Sequence, residues 1–173
     1  GLFTQNIALQ EEIGHVNGMA ASFNNIATIY QSQGDLEQAL NYAEKSLALK
    51  EQTGNQKGIA ATLTIMGDMY TDLHQDSLAL DCFRRSLALW KRLEDQQGMA
   101  NALQGMVGFY MGQGDYSRAM DHYRRSLSIA REIGDERSTA IALRGIANTY
   151  LYQNNPDRAI GYATQCLDLA QTI

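Results

Sequence analysis

GIAATLTIMGDMYTDLHQDSLALDCFRRSLAL, Gly58 to Leu89, decides the fold because it recurs at a fixed spacing. Forty residues later stands GMANALQGMVGFYMGQGDYSRAMDHYRRSLSI, Gly98 to Ile129. Forty residues earlier stands GMAASFNNIATIYQSQGDLEQALNYAEKSLAL, Gly18 to Leu49, and a fourth copy runs STAIALRGIANTYLYQNNPDRAIGYATQCLDL, Ser138 to Leu169. Self-similarity at a period in this range is the mark of stacked supersecondary units, each covering the apolar face of its neighbour.

Within a copy, apolar residues recur at i, i+3, i+4 and i+7, the signature of one helical face. The sets are Phe23, Ile26, Ala27, Tyr30; Leu63, Met66, Gly67, Tyr70; Leu103, Met106, Val107, Tyr110; and Leu143, Ile146, Ala147, Tyr150. A second helix follows, with Ala39, Leu40, Ala43 and Leu47 in the first copy. Between the two helices, Gly34 and Gly114 suit a left-handed residue that ends the first, and Asp35 and Asp115 suit the N-cap of the second. Asn154, Asn155 and Pro156 serve the same purpose in the fourth copy, because Asn tolerates the left-handed region and Pro fits a first helical turn. His74 and Gln75 make the second copy's turn the least well specified. Asn55, Asp95 and Asp135 are read as N-caps of the following helices.

Small residues mark close approach. Ala20, Ala60, Ala100 and Ala140 share one slot, and Ala39, Ala79, Ala119 and Ala159 share another. Gly18, Gly58 and Gly98 sit early in the first helix, where glycine is costly, and point to contact with the preceding helix. Ser86 and Ser126 lie in RRSL segments that look like basophilic kinase sites, but their slot is a packing position and burial is the expectation. Trp90 and most of the seven methionines are expected to pack rather than to bind.

These residues resemble the tetratricopeptide repeat: a large residue, a Leu-Gly-like pair, Tyr, then Ala, an aromatic and a small residue, here Leu63, Met66-Gly67, Tyr70, Ala79, Phe83 and Ser86. The usual Pro after the second helix is missing from every copy, which implies longer helices. The 40-residue period is similar to that of the subset found in cell-polarity adaptors and bacterial signalling proteins. The resemblance implies an all-α, right-handed superhelical solenoid of antiparallel helix pairs. The expected boundaries are 14–53, 54–93, 94–133 and 134–173 for four repeats, with 1–13 the end of a truncated repeat. The whole is expected to be one domain cut from a longer array.

The resemblance also implies that the first helix of each pair lines a concave groove. Carried over residue by residue, the groove slots are Asn24, Thr28 and Gln31; Thr64, Asp68, Thr71 and Asp72; Asn101, Gln104, Gly108 and Met111; and Arg144, Asn148, Leu151 and Tyr152. They vary while the apolar slots repeat, so they are the candidate peptide-binding residues; the other reading is a plain solvated face. Asn, Gln and Thr suit a peptide backbone. Asp68 and Asp72, four apart on one helix face, could meet a cationic side chain. Leu151 and Tyr152 offer an apolar end that a further repeat could equally cover. Arg144 and Asn148 alone match the carboxylate-holding pattern of chaperone-tail-binding relatives, so that ligand is not expected. A second, outer ridge carries Lys45, Arg85 and Arg125 with Arg84 and Arg124 beside them; it could attract an acidic partner or be a solvated face.

The remaining composition narrows the function classes. Net charge is −5, and no 40-residue unit departs from neutrality by more than two charges, which argues against a nucleic-acid footprint. No apolar run reaches the length of a membrane span. Cys82 and Cys166 stand in different slots, which is no disulfide framework and fits a reducing, cytoplasmic compartment. His15, His74 and His122 do not converge, and no catalytic, cofactor or metal constellation is recognised. The expected function is a protein-interaction scaffold that holds a peptide or partner protein in its groove. The alternatives are an in-cis regulatory or sensor domain of a bacterial signalling protein and a structural spacer. Self-association through exposed terminal helices is a further expectation.

Overall fold

The structure, a computed structural model, describes residues 16–171; the expected truncated repeat at 1–13 and His15 lie outside them. Eight α-helices follow in order: α1 (Val16–Ser32), α2 (Leu36–Gln52), α3 (Gln56–Asp72), α4 (Asp76–Arg92), α5 (Gln96–Gly112), α6 (Tyr116–Glu132), α7 (Glu136–Tyr152) and α8 (Pro156–Ala170). Seven of them have 17 residues and α8 has 15. The fold is all-α, built from antiparallel helix pairs of the solenoid type, and no strand occurs among the described residues. No helix there is long and apolar enough to cross a membrane.

The turns explain the equal lengths. Each of the first seven helices is stopped by one residue in the left-handed region: four times it is glycine, Gly34, Gly54, Gly114 and Gly134 at φ 79°, 68°, 70° and 69°. His74, Glu94 and Asn154 take the same conformation at 57°, 53° and 57° without glycine's freedom. The next residue but one starts a helix. Asp35, Asn55, Asp95, Asp115, Asp135 and Asn155 each accept a bond from the backbone N–H three residues on, as the cap pattern predicts. Gln75 stands in the cap position of α4, and its carbonyl accepts from Leu78 and Ala79 N–H.

The described residues form two compact units, divided between Leu89 and Trp90. In the first, Leu63, Met66, Met69 and Ile59 pack with Ala27, Ala39, Leu40 and Ala43. Gly67 lets Phe83 lie against the backbone of α3: a Cβ there would stand 2.6 Å from the ring. In the second, Leu143, Ile146 and Tyr150 pack with Met120, Leu127 and Ala159. A Cβ at Gly98 would run into the Trp90 indole, and one at Gly58 would meet the Lys50 stem at 3.0 Å, so both glycines do touch the preceding helix. Ser86 and Ser126 are buried, and Trp90 is a packing residue only 5% exposed.

Candidate functional site

In the first unit the candidate groove residues sit on α1 and α3. Asn24 is half-buried, and its Oδ1 accepts from the Thr62 hydroxyl at 3.4 Å. That hydroxyl in turn accepts from the Lys50 ammonium at 2.7 Å, so a buried lysine, an interior threonine and a groove asparagine form one chain. Burial holds the Lys50 pKa below its ordinary value. Thr28, Thr64 and Thr71 each donate to the carbonyl four residues back, of Asn24, Ala60 and Gly67. Thr64 also sits 2.7 Å from the Ser86 hydroxyl, so its polar end is turned towards α4. Gln31 is half-buried.

Asp68 and Asp72 differ from these neighbours. Both side chains are open to solvent, and among the described residues neither has a hydrogen-bond or cation partner. Asp68 nevertheless has its carboxyl pKa pushed up to about 6. Desolvation by the surrounding protein is the main cause, and the Asp72 charge adds to it. A carboxylate accessible from outside but poorly hydrated is what a recessed surface produces.

In the second unit the candidates sit on α5 and α7. Asn101 is exposed and accepts from Gln97 at 3.4 Å; Gln104 is half-buried and Gly108 open. Met111 Sδ accepts from the Thr149 hydroxyl at 3.7 Å, which ties the end of α5 to α7. Arg144 and Asn148 are exposed one turn apart, and the Arg144 charge acts on the Tyr123 phenol of α6. Leu151 and Tyr152 are 57% and 63% exposed. Tyr152 is held in place by a parallel stack on Tyr116, with centroids 5.4 Å apart. Within each unit, then, candidates are joined or fixed by Asn24 through Thr62, Thr28 on Asn24, Thr64 on Ser86, Asp68 beside Asp72, Gln97 on Asn101, Met111 on Thr149 and Tyr152 on Tyr116.

Two features escape a reading of groove slots. One is a closure within three of the helix pairs: Ser46 donates to the Ala20 carbonyl and Ser86 to Ala60, both at 2.7 Å, and Cys166 reaches Ala140 at 3.5 Å. The 26-residue offset is constant, so an alignment of copies contained the signal. The other is the slot of Lys50, Trp90 and Ala130, whose occupants share no chemistry. Elsewhere, Cys82 is buried and its thiol is raised to about 11, chiefly by desolvation, which leaves it un-ionised at neutral pH. His122 stacks on Tyr110 at 5.2 Å, and burial lowers its pKa. No cluster of three or more metal-ligating side chains occurs among the described residues.

Comparisons with known proteins agree with this architecture. BtubC from P. vanneervenii superimposes with a TM-score of 0.82 at 15% identity, over 91% of this chain. Aspartyl phosphate phosphatase F from Bacillus subtilis does so at 0.86 and 16%, over 90%. A STAND protein with a tetratricopeptide repeat sensor, from Pyrococcus horikoshii, gives 0.81 and 18%, over 94%. The chain spans 65%, 41% and 25% of those three proteins respectively. No curated protein matches it by sequence. The tetratricopeptide repeat model matches residues 18–92 and 98–172, in agreement with the capped helix pairs and alanine slots: the chain belongs to the tetratricopeptide repeat family, whose repeats are generally protein–protein interaction modules.

Proposed function

We propose that this chain is a cytoplasmic interaction module that binds an extended peptide or a partner segment through the groove slots of α1 and α3 in the first unit and of α5 and α7 in the second, with four repeats at 14–53, 54–93, 94–133 and 134–173. The observation that carries the reading is Asp68. Two accessible carboxylates lie four residues apart without a cation, and one is held so far from its ordinary value that a ligand Lys or Arg would relieve a standing cost. Asn24, Asn101, Gln104 and Asn148 supply amides for a peptide backbone, and Leu151 and Tyr152 an apolar contact.

The test is a panel of extended peptides that differ only in charge. Peptides with Lys or Arg should bind best, and the Asp68→Lys/Asn148→Lys double variant should lose them while keeping parental helicity. Affinity should rise with pH through about 6, as Asp68 gives up its proton. Equal binding of neutral and cationic peptides would remove the acid pair as anchor.

A second reading is supported by the Pyrococcus horikoshii neighbour: the array is a sensor that acts in cis on an output domain of a signalling protein. A flanking coding sequence that contains repeats only would count against it. Self-association through α8 belongs to the same proposal. Ile160 and Leu167 on that helix are 64% and 63% exposed, and light scattering over a concentration series tests it.

A further inference from the structure

α6, α7 and α8 line a small, open polar pocket of about 210 Å³. Arg124 of α6 and Arg158 of α8 converge on one atom, the Tyr150 hydroxyl, at 3.1 Å and 3.5 Å. Arg158 also lies over the Tyr150 ring, 5.6 Å from its centroid. Ser117 and Gln153 add neutral donors to the lining, Met120 an apolar contact, and Asp121 is the one acid in it.

Two solvent-exposed guanidiniums converge on a single neutral acceptor. Among the described residues neither Arg124 nor Arg158 makes an ion pair. The preceding pair of helices shows what is missing. There the residue matching Arg158 is Arg118, and it is neutralised by the N-cap acid Asp115 at 2.6 Å. In α8 the N-cap is Asn155, which still accepts the Arg158 backbone N–H at 3.3 Å but carries no charge. The exchange of Asp for Asn keeps the cap and frees the cation. Arg125, in the slot of Arg85, has Asp121 four residues before it as Arg85 has Asp81, whereas four residues before Arg124 stands Met120.

We infer that this pocket is a phosphate-binding site in which Arg124 and Arg158 clamp a phosphate monoester, with Ser117, Gln153 and the Tyr150 hydroxyl donating to its remaining oxygens. Planar forks suit tetrahedral oxyanions, and two of them offset a doubly charged group better than one. Tyr150, now an acceptor from both arginines, can rotate its own O–H towards the anion. Asp121 opposes the ligand and sets its affinity. The inference goes beyond the groove reading and uses none of its residues.

The chemistry could come from a free phosphate compound or from a phosphorylated side chain of a partner, and the experiment separates the two. The chain is titrated with inorganic phosphate, with a phosphoserine peptide and with its unphosphorylated form, all at constant ionic strength in chloride. The Arg124 and Arg158 side-chain N–H groups and the Gln153 amide are followed by NMR. Saturable shifts with inorganic phosphate are expected. Arg158→Gln and Arg124→Gln should each weaken binding by about tenfold, the scale of one lost charge-assisted bond pair. Asp121→Asn should tighten it, and Asp68→Lys/Asn148→Lys should leave it unchanged. Tighter binding of the phosphopeptide assigns the site to a phosphorylated partner; equal binding assigns it to a small phosphate compound. Shifts no different from those in chloride, or parental affinity in a folded Arg158→Gln, would overturn the site.

Discussion

At the residue scale, Asp68 links stability to binding. Its carboxyl has a higher pKa in the folded chain, about 6, than its ordinary 3.8, so the native state holds the proton more tightly between those values. Stability is therefore undiminished below pH 3.8 and falls as pH rises through 6. Asp68→Asn is expected to be more stable than the parent at pH 7 by about 1 kcal/mol, well under the full linkage value because the side chain is open to solvent. The advantage should vanish near pH 4, and denaturant midpoints at the two pH values check it. A variant that gains stability while losing cationic peptides would identify Asp68 as a group retained at a cost. The sequence placed Asp68 and Asp72 on one face by their spacing alone. It could not show the crowding, which depends on how much protein surrounds a carboxylate rather than on which residues flank it. Lys50 shows the converse: an ordinary lysine in the sequence, it is buried on Thr62 because Gly58 opens a channel for its stem.

At the element scale, the helices were legible because each is fixed by local chemistry that repeats: a cap residue, a left-handed stop and an i, i+3, i+4 stripe. What was not legible is where the left-handed residue carries no glycine signal. Glu94 takes φ 53° in the place of Gly54 and Gly134, imposed by the caps and packing on either side. His74→Gly and Glu94→Gly should each stabilise the chain, by about 0.5–1 kcal/mol after glycine's extra freedom in the unfolded chain is subtracted. Thermal melts of the single variants check this. Within α5, two glycines separate packing from propensity. Gly108→Ala faces open space and should gain about 0.5–1 kcal/mol, the helical advantage of Ala. Gly98→Ala drives a methyl into Trp90 and should lose about 1–2 kcal/mol, the overpacking cost less that same advantage. Opposite signs for one substitution in one helix would confirm that Gly98 is there for Trp90; equal signs would show that the indole moves aside.

At the scale of the whole molecule, stability in stacked repeats is the sum of what each unit has and what its neighbours lend. The eight helices do not share equally in it. α7 buries Thr139, Ala142, Leu143, Gly145, Ile146, Ala147, Thr149 and Tyr150, whereas α8 fully buries Ala159 alone. The outward side of α8 instead exposes Ile160 and Leu167. Opening α8 therefore costs one face of contact with α7, while opening α7 exposes both α6 and α8 sides at once. Amide exchange should follow that order: α8 exchanges first by local release, and the amides around Leu143 and Ile146 exchange last in the second unit. The Arg124–Tyr150–Arg158 cluster adds a specific consequence, since it is the polar tie between the start of α8 and the end of α7. If a phosphate group is clamped there, its addition should slow exchange at the N-terminal end of α8, around Arg158, more than at Leu167. Protection spread evenly along the chain would instead mean a general salt effect, because screening acts on every exposed charge, whereas a bound anion acts where the guanidiniums meet.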